Sequence, residues 1–161
     1  MAINVGDALP EVAFTVMTPE GPKTRTTAEI FKGRKVVLIG VPGAFTPTCS
    51  LNHLPGYIEQ ADAFKAKGVD TVAVTGVNDV FVMQAWAKAS GGEGKVLFLA
   101  DGSAVFARAI GLTVDLTERG LGVRSQRYSM FVEDGIVRNL NVEESPGTAE
   151  ISTAERLLQE L

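Results

Sequence analysis

Lys35-Val36-Val37-Leu38-Ile39-Gly40-Val41 runs directly into Pro42-Gly43-Ala44-Phe45-Thr46-Pro47-Thr48-Cys49-Ser50. The first seven residues are β-branched and continuously apolar, which reads as a strand buried on both faces. The second stretch opens a helix. Thr46 reads as its N-cap and Pro47 as N1, where a missing N–H costs nothing. Thr48 is then N2 and Cys49 N3. The Thr46 hydroxyl can accept from first-turn N–H groups or turn toward the cysteine sulfur. Cys49 thus lies in the first turn, where the positive end of the helix favours an anion. That setting turns thiols into thiolates. Strand ends that feed helix N-termini are also where α/β folds build their sites.

Outward from this stretch, the apolar runs are strand-sized. Residues 12–17 end at a Pro-Glu-Gly-Pro turn, with 23–26 as a return strand. Residues 69–77 and 95–100 are further buried strands. Tyr128–Glu133 and Ile136–Val142 flank Asp134-Gly135, a hairpin signal. Helical spacing covers 47–67, 79–90, 103–110 and 148–161. A hairpin, then alternating strands and helices, then a second hairpin and a last helix predict an α/β fold. Its central sheet is mixed and flanked by helices, an order that a thioredoxin-like arrangement satisfies. Residues 1–161 read as one domain, with no repeat or linker.

Composition narrows the function. Fifteen basic against 19 acidic residues give a net charge of −4, which argues against a nucleic-acid partner. No apolar run approaches the ~20 residues of a membrane helix. Residues 1–10 lack the basic, then apolar, pattern of a secretory signal. The expectation is a cytoplasmic protein, since a lone thiol persists in a reducing compartment. One cysteine excludes an internal disulfide, and with one histidine it excludes a Cys/His zinc site.

Other candidates are read more plainly. Free cysteines are often small buried hydrophobes, but Thr, Pro, Thr and Ser around Cys49 are not a core pattern. His53, four residues on, could be the base of a Cys–His hydrolase. No orienting third residue can be named, and a histidine bonded to backbone near the pocket is the preferred reading. Arg124 and Arg127 precede a strand. They are either a solvated rim or a guanidinium fork beside the thiolate, and spacing alone brings neither to Cys49. Glu143-Glu144 reads as a solvated loop, and Trp86 as core or interface.

Pro42-x-x-x-Thr46-x-x-Cys49 resembles the active-site motif of the peroxiredoxins. The fuller string to Ser50, followed by His53-Leu54-Pro55-Gly56-Tyr57, resembles the type II, or peroxiredoxin-5-like, subfamily. Arg127-Tyr128-Ser129-Met130 resembles that subfamily's Arg-Phe-Ser-Met strand start. The resemblance implies a thioredoxin-like fold and reduction of hydrogen peroxide or alkyl hydroperoxides. It maps Cys49 onto the peroxidatic cysteine and Thr46, Pro42 and Arg127 onto its pocket, with Arg124 in support. It implies no cofactor, because sulfur supplies both electrons. Animal-type members carry a resolving cysteine after a Gly-Thr near the last helix, whereas here Gly147-Thr148 leads to Ser152. The chain resembles the one-cysteine form recycled by glutathione, glutaredoxin or thioredoxin. A homodimer is implied too, with Phe45 and Phe81 as exposed apolar candidates. The competing reading is a redox sensor that passes oxidation of Cys49 to a partner protein.

Overall fold

The computed structural model describes residues 1–161. Its strands are β1 (Ala13–Thr18), β2 (Gly21–Thr26), β3 (Lys35–Val41), β4 (Thr71–Gly76), β5 (Leu97–Ala100), β6 (Thr113–Leu116), β7 (Gly122–Ser125), β8 (Tyr128–Glu133) and β9 (Ile136–Val142). Seven of them form one sheet in the order β2-β1-β5-β4-β3-β8-β9. β3, β4 and β5 are parallel, and the remaining pairings in the sheet are antiparallel. The mixed sheet expected from the sequence is therefore present, with β3 near its centre.

β3 shows why a continuous apolar run was needed. Val37, Ile39 and Val41 join one buried cluster, while Val36 and Leu38 join another on the opposite face. Helices cover both. On the Cys49 face lie α2 (Leu54–Glu59), α3 (Ala61–Ala66), α4 (Val80–Ser90) and α6 (Ala154–Glu160), contributing Tyr57, Phe64, Trp86 and Leu157. α1 (Thr27–Phe31) and α5 (Val105–Ala109) cover the other face through Ile30, Phe31 and Phe106.

Several elements differ from the sequence reading. The helix expected over 47–67 is interrupted twice. Residues Cys49–His53 form a wide π-type turn, in which the Leu54 N–H reaches Cys49 O, and Gln60 breaks the chain again before α3. Pro55 accounts for the first break: it has no N–H to offer the carbonyl four residues back and its ring crowds that carbonyl. The last helix starts at Ala154, capped by Thr153, not at residue 148. Residues 148–152 are held elsewhere, as described below. The short α1 has a complete capping box between Thr26 and Glu29, and β6–β7 form a separate two-stranded ribbon. The sequence reading contained neither.

Candidate active site

Cys49 leaves the C-terminal end of β3 through the loop 42–46 and stands in the first turns of the helix, fully buried. Thr46 does not cap that helix through its side chain. Its hydroxyl donates back to Gly43 O at 2.8 Å, and the Ser50 N–H takes the Thr46 carbonyl. With the hydroxyl proton so committed, the oxygen presents lone pairs to other partners.

Arg127 is the residue that closes the site. It lies between β7 and β8, only 2% exposed. Its Nη2 donates to Cys49 Sγ at 3.0 Å and to Pro146 O at 2.9 Å. Nε donates to the same carbonyl at 3.1 Å, and Nη1 lies 3.0 Å from His53 Nδ1. A guanidinium can only donate, so Nδ1 must accept and the His53 proton sits on Nε2. Nε2 accordingly donates to Ser152 O at 3.0 Å, and the Tyr57 hydroxyl donates to that oxygen at 2.6 Å.

His53 is neutral here. Burial, and then the adjacent guanidinium, push its pKa down to about 3. Its acceptor nitrogen faces Arg127 rather than the sulfur, which removes the base that a Cys–His hydrolase requires. The backbone-bonded reading of His53 was correct, but its contact with Arg127 was not foreseen.

Arg124 takes a different place from Arg127. Its Nη1 donates to Pro42 O at 3.1 Å and its Nε to Leu121 O at 2.8 Å, so it braces the loop and does not reach the sulfur. Gly43 makes room for it, since a Cβ there would stand 2.6 Å from Arg124 Nη1. Pro42 is buried at the end of β3, and Asn78 Oδ1 holds the Ala44 N–H at 2.9 Å. Trp86 is core, and its indole N–H donates to Ser50 Oγ at 3.0 Å, fixing α4 to the turn that carries Cys49.

Glu143 corrects the sequence reading. It is buried, not solvated. Its Oε2 accepts from the N–H groups of Glu150, Ile151 and Ser152 at 2.7–2.9 Å and from Ser152 Oγ at 2.6 Å. Burial raises its carboxyl, but the bonds from Ser152, Ile151 and Glu150 outweigh it and the net shift is downward. Nothing in the string Glu143-Glu144 separates this carboxylate from its exposed neighbour.

Beside Arg127 lies a cleft of about 190 Å³, bounded by Pro42, Thr46, Pro47, Thr48, Arg127 and Pro146 and, from the end of β6 and its connection to β7, by Leu116, Arg119 and Leu121. A larger cleft of about 650 Å³ lies between β1, β5 and α4 and touches none of these residues. The smaller cleft is the one beside Cys49: its lining includes Arg127, whose Nη2 bonds the buried sulfur, and Thr46, three residues before it.

The geometry first defines a class: an α/β protein with one buried thiol, paired to a buried guanidinium that lines a small cleft. The Redoxin family model matches residues 4–158. The chloroplastic peroxiredoxin-2E-2 of Oryza sativa subsp. japonica is 50% identical over 164 residues, spanning 99% of this chain and 72% of that protein. Peroxiredoxin-2C of the same plant is 46% identical over 160 residues, spanning 99% and 98%. Among solved structures, reduced Prx3 of Vibrio vulnificus in complex with hydrogen peroxide superposes with a TM-score of 0.93 at 49% identity, covering 98% of both chains. The chain belongs to the Redoxin family and, within it, to the peroxiredoxins. It is a thiol peroxidase that works through a peroxidatic cysteine, on a thioredoxin-like fold.

Proposed function

We propose that Cys49 is the peroxidatic sulfur and that Thr46, Arg127 and Pro42 form its pocket. The observation that carries this is the 3.0 Å contact from Arg127 Nη2 to Cys49 Sγ. A buried cation on the sulfur stabilises the thiolate, the nucleophilic form. In the reaction the thiolate attacks the near oxygen of a hydroperoxide, in line with the O–O bond. An S–O bond forms, the O–O bond breaks, and sulfur loses two electrons. The leaving alkoxide or hydroxide takes a proton from water, and Cys49 is left as a sulfenic acid. Charge that develops on the peroxide oxygens meets Arg127, a stabilisation that grows toward the transition state. Thr46 Oγ accepts the peroxide O–H and aligns it. Pro42 keeps water from the thiolate. The hydrogen peroxide bound by the Vibrio vulnificus relative supports this class of substrate.

Recycling follows from the single cysteine. The sulfenic acid has no second thiol in the chain, so an external thiol displaces water to give a mixed disulfide. A second thiol then releases Cys49. Glutathione with a glutaredoxin is the preferred donor, and thioredoxin the alternative. The proposed setting is the cytoplasm, as an antioxidant, where thiols stay reduced. A homodimer is proposed around the rim of the cleft, where Phe45 and Leu51 are exposed, along with Phe81 at the start of α4.

The test is peroxide consumption by the purified protein with excess dithiothreitol. Cys49→Ser should abolish it without unfolding the chain, and retained turnover in that variant would refute the assignment. Peroxide followed by glutathione should add one glutathionyl group to the mass. Sustained turnover with thioredoxin and no adduct would overturn the choice of glutathione.

A further inference from the structure

Arg127 and His53 owe their positions to a strap that follows β9. Arg127 Nε and Nη2 both donate to Pro146 O, and His53 and Tyr57 both donate to Ser152 O. The strap between those two carbonyls, residues 146–152, contains no helix or strand. Its bonds run outward: the Thr148 N–H and hydroxyl turn back to Ser145 O, and Thr48 Oγ from the segment before Cys49 donates to Gly147 O at 3.1 Å. What fixes its far end is Glu143, whose Oε2 takes three successive N–H groups and the Ser152 hydroxyl. The Glu143 N–H in turn donates to the Arg127 carbonyl at 2.9 Å, so the same residue is tied to the backbone of the arginine it serves.

We infer that Glu143 is a positioning residue for the peroxidatic site, holding the 146–152 strap so that its carbonyls aim Arg127 at Cys49 and His53 at Arg127. The inference rests on the peroxidase reading of Cys49 and names a residue that this reading does not require. Three N–H groups and one hydroxyl converge on one carboxylate oxygen, Oε2, and its charge strengthens all four bonds. Glutamine can offer its carbonyl oxygen to the same donors but without the charge, and it sets an NH₂ at the Oε1 position, where the Thr148 hydroxyl donates at 3.5 Å. The strap would then move, and a displacement of about 1 Å at a reacting group costs up to ~10²-fold in rate. The ionisable groups that face Glu143 are His53, across Ser152, and Tyr57, and both feel its charge. Arg127 faces it through the backbone.

The experiment compares Glu143→Gln with Glu144→Gln, the exposed neighbour. Three quantities are measured: the second-order rate of Cys49 with hydrogen peroxide, the pH titration of thiolate absorbance, and the melting temperature. Glu143→Gln should slow the peroxide reaction by about 10- to 100-fold and move the thiolate titration to higher pH, in protein that is still folded at the assay temperature. Glu144→Gln should match the parent in all three. A folded Glu143→Gln with parental rate and titration would overturn the inference, and so would a lowered melting temperature alone. Should Glu143→Gln fail to fold, Ser152→Ala decides. It removes one donor from the same oxygen and should give a smaller slowing of the same kind, whereas a parental rate and titration would overturn the inference. If the parent itself consumes no peroxide, the peroxidase reading fails. The thiolate titration of the variants then still judges Glu143.

Discussion

Arg127 works because its charge is buried beside the one group that can use a cation. Its backbone precedes β8, and β8 pairs with β3, the strand that delivers Cys49. Sequence spacing alone could not join positions 49 and 127. Only the antiparallel pairing does so, and for this reason the choice between Arg124 and Arg127 came from resemblance rather than from local chemistry. The structure separates them: Arg127 touches the sulfur and Arg124 touches the Pro42 carbonyl. Arg127→Gln should therefore slow peroxide attack by at least about 100-fold, the scale of removing one donor from a developing charge. Arg124→Gln should cost less than about tenfold, since it removes a neutral acceptor's partner at the loop. Stopped-flow oxidation of both variants decides the order, and a reversed order would assign the sulfur's cation wrongly. Thr46 separates similarly from its role as a cap. Its hydroxyl proton is spent on Gly43 O, so what it offers a peroxide is a lone pair. Thr46→Ser should retain most of the rate, while Thr46→Val should lose about 10²-fold. Equal rates for Val and Ser would leave the hydroxyl no part in the reaction.

At the scale of elements, the turn Cys49–His53 was the feature least visible in advance. Apolar spacing through 47–67 fits one continuous helix, because a π-type turn adds a single residue and leaves the pattern of Leu54, Ile58, Ala61 and Phe64 almost intact. The clue was Pro55, the position an ordinary helix would not tolerate beyond its first turn. Cys49 and His53, at the two ends of the turn, both face the buried side, where Arg127 reaches both. Pro55→Ala restores an N–H that can close an ordinary turn onto the Leu51 carbonyl. The helix should then tighten and carry His53 away from Arg127. The expected outcome is a peroxide rate about tenfold lower with a melting temperature equal to or above the parent's. A parental rate would show that the site does not need the wide turn. The strands were more legible than the helices. Tyr128–Glu133 and Ile136–Val142 coincide with β8 and β9 because Asp134 and Gly135, both at positive φ, mark the turn unambiguously. The 148–152 segment misled for the opposite reason. Its composition suits a helix, yet the N–H groups of Glu150, Ile151 and Ser152 are claimed by Glu143, seven to nine residues back at the end of β9, a bond that helical spacing does not announce.

For the whole molecule, the buried ionisable groups give stability a direction with pH. His53 has its pKa depressed from 6.5 to about 3 in the fold. Below pH 6.5 the unfolded chain takes up a proton that the folded chain refuses, so the unfolded state binds more protons and stability falls on acidification. Glu143 acts in the same direction lower down. Its depressed carboxyl contributes stability above pH 4.5, which is lost as pH falls through its folded value. Asp101 opposes them: burial raises its carboxyl despite bonds from the Phe106 and Ala107 N–H groups, so acid favours its folded form. Between pH 6.5 and 5 Glu143 is ionised in both states, so His53 drives the loss while the raised Asp101 carboxyl works against it. At 1.36 kcal/mol per pH unit, His53 alone makes the protein roughly 2 kcal/mol less stable at pH 5 than at neutral pH. Urea unfolding at pH 7, 6 and 5 should show the midpoint dropping with nearly constant slope. His53→Gln should flatten that dependence. Its amide can accept from Arg127 and donate to Ser152 O but does not titrate, so the variant is expected to keep most of the peroxidase rate while becoming less sensitive to acid. An equally steep loss of stability in His53→Gln would mean that another group carries the proton, and would remove the buried neutral imidazole from the account of how Arg127 is held.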